Sequence, residues 1–182
     1  MNALSPVVAS KFCELCEHAH AVWRIHRVLF DENPNKTALG NSPAGPAMVH
    51  ISEVSQEYML LQIRKLHDPA VQRDHATLGL DYVLRFGGWD APTLARLQAL
   101  KIDLDGFSSQ LRDVRNRVLC HNDLEVHLKG GTLGDFPAGE DILYFEKLQE
   151  FVNIVHESAW GCPSPFSDNP DKKAAALLSA LK

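Results

Sequence analysis

Leu104-Asp105-Gly106-Phe107-Ser108-Ser109-Gln110-Leu111-Arg112-Asp113-Val114-Arg115-Asn116-Arg117-Val118-Leu119-Cys120-His121 carries apolar side chains at 104, 107, 111, 114 and 118. That three-four-three-four spacing puts them on one stripe of an α-helix, which needs a partner helix to cover it. The next position on the stripe is His121, so an apolar edge continues into a titratable ring. The segment therefore predicts a packed helix ending in a cluster of Arg, Asn and His.

Upstream, residues 6–30 repeat the pattern: Val8, Phe12, Leu15, Ala19, Val22, Trp23, Leu29 and Phe30 recur at three- and four-residue intervals, with Ser5-Pro6 as a start signal. Residues 31–46 collect Asn, Pro and Gly without a period and read as a loop. A second helix is expected over 48–67, where Ile51, Val54, Tyr58, Leu60, Leu61, Ile63 and Leu66 cover more than one face, the pattern of a helix packed between neighbours. Pro69 stops it, because its ring disfavours helical geometry at Asp68. A third helix is expected over 78–86, ending at Gly87-Gly88, and a short fourth over 90–100, opened by Asp90 and Pro92.

Downstream of the motif helix, glycines and Pro137 mark residues 123–140 as a loop with at most a short hairpin at 125–128. A last core helix follows over 140–160, with Phe145, Leu148, Val152 and Val155 in register. The expected architecture is all-α: a bundle of four to five core helices plus short accessory helices. Residues 1–160 form its single domain, and 161–182 form a C-terminal tail able to make a short helix. A helix of that length is marginal in isolation and is expected to fray.

The 182 residues suffice for one core, and 45% apolar with 23% charged residues is an ordinary globular composition. A formal charge of −5 argues against coating nucleic acid through a broad basic surface, since non-specific affinity comes from neutralised phosphates. It leaves room for a local cationic site. No apolar run reaches bilayer length and the amino terminus has no leader pattern, so a cytoplasmic protein without a membrane partner is expected. Four scattered cysteines read as reduced thiols.

Arg115 is the one arginine with a histidine five to seven positions downstream. An Arg, a polar residue, four residues and a His near the end of a late helix resemble the signature of the HEPN superfamily, the higher eukaryotes and prokaryotes nucleotide-binding domain. Further segments resemble its AbiU-like abortive-infection branch: Trp23 to Leu29-Phe30, the LLQIRKLHD run at 60–68, Leu78-Gly79-Leu80, and the LRDVRNRVLCHND block at 111–123. Together they span most of residues 15–155. The resemblance implies a helical bundle, usually paired into a homodimer that brings two motif copies to one cleft. It also implies, in active members, a metal-independent endoribonuclease with no cofactor. Arg115, Asn116 and His121 match the catalytic motif by position. RNA is the implied substrate, and an antitoxin or another protein is a further implied partner.

These residue types suit that chemistry. Cutting RNA without a metal requires a group that takes a proton from the ribose 2′-hydroxyl or gives one to the leaving 5′-oxygen, and the imidazole of His121 titrates near working pH. The transition state gathers negative charge on its equatorial oxygens, which the planar guanidinium of Arg115 can meet with two donors. Asn116 either orients the scaffold or donates a hydrogen bond. Arg112 and Arg117 add local positive field for substrate binding. Six residues of ideal helix rotate His121 about 120° from Arg115, so the two meet only if the helix distorts or the site is shared across a dimer seam. Arg117 and His121, four apart, are neighbours whose like charge would depress the imidazole pKa. In the branch silenced by nucleotidylation a Tyr stands two residues after the His; here Asp123 does, so that control is not supported at this position.

Plainer roles compete. His121 can be a hydrogen-bonded histidine at the core edge, Arg115 a salt-bridging surface residue, and Asn116 a solvated helix residue. Cys13-x-x-Cys16 beside His18 and His20 invites a metal reading, but Cys16 falls on the apolar stripe and no second ligand pair follows at finger spacing. Trp23, Phe30, Tyr58, Phe145 and Phe151 have helical spacing and read as core. Besides the ribonuclease, a non-catalytic helical module binding a nucleotide, RNA or protein, and a plain helical interaction protein, are consistent with the sequence.

Overall fold

The computed structural model describes residues 4–114 and 139–180. Among these, α1 spans Pro6–His26 and runs into a π-helical turn at Arg27–Asp31; α2 spans Lys36–Gly40, α3 Gly45–Leu66, α4 Leu80–Phe86 and α5 Ala91–Val114. After residue 138 come α6, Glu140–Trp160, and α7, Asn169–Ala180. Two short strands, β1 Val71–Gln72 and β2 His75–Ala76, pair antiparallel between α3 and α4 with Val71 opposite Ala76. The described residues thus form an all-α bundle with one minimal hairpin.

Local chemistry sets the helix ends. The Ser5 hydroxyl accepts from the Val8 amide at 3.3 Å and Pro6 occupies the first turn, so α1 starts where two start signals coincide. Asp90 accepts from the Thr93 amide at 2.8 Å and caps α5. Gly139 and Gly161 flank α6 with φ of 92° and 74°, left-handed values that a side chain would strain.

Four helices enclose the core. α1 lies against α3 and α6, and α5 lies against α6 and α3. α1 contributes Phe12, Cys16 and Trp23, α5 contributes Leu97, Leu104 and Leu111, and α6 contributes Tyr144, Leu148 and Phe151. Burying each large side chain is worth about 1.5–3 kcal/mol, so these stripes hold the fold.

Four expectations need correction. Residues 90–100 and the motif helix are one helix, because Lys101-Ile102-Asp103 contains no breaker and Leu97, Leu100, Leu104, Phe107 and Leu111 keep one unbroken spacing. α3 is buried only over its second half: Met59, Leu60, Ile63 and Leu66 are in the core, whereas Ile51, Val54 and Tyr58 are exposed. Residues 31–46 are not all loop, since α2 and the first turn of α3 form there. The 169–180 segment is helical and does not stand alone: Arg24 of α1 pairs with Asp171 at 2.7 Å and Ala174 is buried. Tertiary docking supplies what an isolated helix of that length lacks.

Candidate functional site

Arg115, Asn116, Arg117 and His121 lie outside the described residues, as do Cys120, Asp123 and the expected hairpin at 125–128. Arg112 is in the last turn of α5, two residues before Val114. What the structure defines is the mount from which the motif departs.

That mount is tightly held. Leu111 and Phe107 are buried, and Gln110 donates to Glu140 at 3.0 Å. The contact brings the end of α5 beside the start of α6, so the chain leaves the described fold at Val114 and re-enters it at Gly139 on the same end of the bundle. One to two turns back, a buried polar relay joins three helices. His67, just past α3, places Nδ1 2.7 Å from Asp105 Oδ1 of α5 and Nε2 3.0 Å from the Tyr144 hydroxyl of α6. A carboxylate can only accept, so His67 donates from Nδ1; its Nε2 lone pair is left to accept from Tyr144. Burial lowers the His67 pKa, and Asp105 does not fully restore it. Burial also pushes Asp105 upward, but hydrogen bonds from His67 and Lys101 outweigh it and leave that carboxyl below its ordinary value. Beside the relay, Arg64 donates to the Ser108 hydroxyl at 2.6 Å.

A second buried knot lies where α1 meets α6. The Trp23 indole and the Arg27 guanidinium both donate to Asp141 Oδ2, at 2.8 and 3.0 Å. Arg27 also reaches Glu32 at 2.9 Å, and Arg24 bridges Glu32 and Asp171. Arg27 stands where α1 passes into the π turn, and Glu32 follows directly after that turn. Beside this knot is a cavity of about 590 Å³, lined by the buried His26 and Asp141, by the polar side chains of Asp31 and Gln56, and by the apolar Met59 and Ile142. His26 holds Ser55 through Nδ1 at 3.2 Å. Burial lowers its pKa while Asp31 and Asp141 pull the other way.

Sequence reasoning missed both knots. His67 reads as part of a helix stop, and Asp141 as an acid favouring a helix start; neither partner is near in sequence. The Cys13-x-x-Cys16 pair resolves into a core residue, Cys16, and a half-buried neighbour, Cys13, whose thiol is pushed up to about 11 by burial. Among the described residues, no three His, Cys, Asp or Glu side chains gather as a metal site would need. No described helix is long and apolar enough to cross a membrane.

No curated protein and no solved structure matches the chain. The family model HEPN_AbiU2, described as AbiU2, matches residues 6–171, from the first turn of α1 into α7 and across the Arg115 to His121 motif. That match takes in all four core helices, and the chain belongs to the AbiU2 family of HEPN proteins.

Proposed function

We propose that this protein is a metal-independent endoribonuclease of the toxin or abortive-infection type, acting in phage defence as a homodimer. The observation that carries the reading is the Arg115-Asn116-x4-His121 motif in direct continuation of α5, within a chain whose family match runs across it.

His121 takes the proton of the ribose 2′-hydroxyl as that oxygen attacks the adjacent phosphorus, or protonates the departing 5′-oxygen. The 2′-oxygen to phosphorus bond forms, the phosphorus to 5′-oxygen bond breaks, and a cyclic phosphate end remains. Arg115 neutralises the charge on the equatorial oxygens. Arg112 and Arg117 hold the flanking phosphates, and Asn116 orients the group. The relay through His67 supports this scheme by fixing the rigid helix on which the motif follows, since catalytic geometry tolerates little misplacement.

The test is incubation of total RNA with the protein and with His121→Ala, in chelator. We expect fragments with cyclic phosphate ends from the parent and none from the variant, with the oligomeric state unchanged. Cutting that persists in His121→Ala, or that stops when chelator is added, overturns the mechanism.

A further inference from the structure

We propose that the cavity between the π turn, α3 and the start of α6 is a nucleobase subsite that takes guanine, read through the carboxylate of Asp31. The inference deepens the reading of the chain as an RNA-acting protein and names the base that its site selects.

Size and placement come first. At about 590 Å³ the cavity is within the range of sites that hold small ligands, with room for a nucleoside. Gly139 is at its edge, so it opens at the end of the bundle where α5 stops and α6 begins, the end from which the motif departs.

The lining is built rather than incidental. His26 and Asp141 are only 7% and 9% exposed, yet both line the cavity. His26 is anchored through Nδ1 on Ser55. Asp141 is anchored through Oδ2, which receives both Trp23 and Arg27.

Charge and shape then choose the ligand. Among the described residues, the lining holds two carboxylates, Asp31 and Asp141, against one guanidinium, Arg27, which Asp141 and Glu32 already occupy. A phosphate is therefore repelled, and a ligand rich in N–H donors is favoured. Met59 and Ile142 give a flat ring apolar surface. Among the bases, guanine presents adjacent ring N–H and exocyclic amino donors on its pairing edge, which match the two acceptor oxygens of one carboxylate; adenine and cytosine present only an amino group there. Asp31 is exposed and lines the cavity, where its carboxylate can make that bidentate contact, and Gln56 in the same lining can serve as donor or acceptor to the rest of the edge.

Titration of the full chain with guanosine by calorimetry tests this without phosphate or cleavage. Guanosine is expected to bind, with inosine, which lacks the amino group, and adenosine each roughly tenfold weaker or worse. Asp31→Asn should weaken guanosine by roughly tenfold or more while leaving the melting temperature unchanged, because its amide puts a donor against a donor. Equal binding of guanosine and adenosine, no binding at all, or an unaltered affinity in a folded Asp31→Asn variant overturns the proposal. RNA cutting without guanosine binding would sink the subsite and leave the nuclease reading standing; guanosine binding by a chain that cuts no RNA would support the subsite and sink the nuclease.

Discussion

His67 and Asp141 each tie together elements distant in sequence, but by different means. The His67 knot is a relay that runs one way, from Tyr144 through the imidazole to Asp105, and it ties together α5 and α6, the helices that flank the motif segment. The Asp141 knot is ionic, collects two donors on one oxygen, and borders a cavity. A relay closed between core helices serves rigidity, whereas an ionic knot that lines a cavity is placed to serve recognition. The two tasks fall to neighbouring positions of α6, Asp141 and Tyr144, three residues apart on one side of the helix.

The comparison predicts unequal costs. Asp141→Ala should be the most damaging change, removing about 3 kcal/mol of stability, because it strands the Trp23 indole and half of the Arg27 guanidinium in a buried place. Urea unfolding measures this; a loss below about 1 kcal/mol would mean that the pair is solvated and the contrast with His67 is false. Tyr144→Phe keeps the ring in the core and deletes only the donor to His67 Nε2, so about 1–2 kcal/mol is expected from the same measurement.

Acid should add a third distinction. His20, stacked on Phe166 at 4.5 Å between centroids, is pulled down to about 4 by burial and by Arg24, with Asp171 opposing; burial also lowers His26 and His67. The unfolded chain takes these protons near the ordinary histidine value, while the folded chain resists until its own lower value is reached. Stability is therefore full above about pH 6.5 and drains as pH falls from there toward 4. His20→Phe preserves the stack and should flatten that decline by a few degrees of melting temperature between pH 6 and 4.5. An unchanged slope would show that His20 is not held neutral.

How much of this was legible depended on whether the cause is local. The stripes of α1, α5 and α6 could be read where Phe12, Ala19 and Trp23, or Leu104, Phe107 and Leu111, repeat at helical intervals, although Leu15, counted on the α1 stripe, is exposed while Ala9 and Cys16 are buried. The exposed half of α3 could not: Ile51, Val54 and Tyr58 carry the same signal as a core face, and periodicity does not say whether a neighbour extends far enough to cover it. The π turn has no sequence mark in Arg27–Asp31, since tertiary pairing of Arg27 with Asp141, 114 residues away, accompanies it. The candidate catalytic motif is the reverse case, legible as a spacing of residue types and family pattern while its residues lie outside those described.

The smallest expected effect discriminates most sharply. Asp105→Asn changes a half-exposed carboxylate that also holds Lys101. If His67 is neutral, as its burial requires, the Asn side-chain oxygen can still accept from Nδ1, so the tautomer and the Tyr144 contact survive. Only charge assistance and the exposed Lys101 pair are lost, costing about 0.5–1 kcal/mol, less than Tyr144→Phe. If instead His67 is protonated, removing the carboxylate leaves a buried imidazolium without its counter-charge, and the cost should rise to about 3 kcal/mol and exceed that of Tyr144→Phe. The order of the two variants in one unfolding experiment thus decides whether the relay beneath the motif is a neutral hydrogen-bonded brace or a second ion pair like that at Asp141.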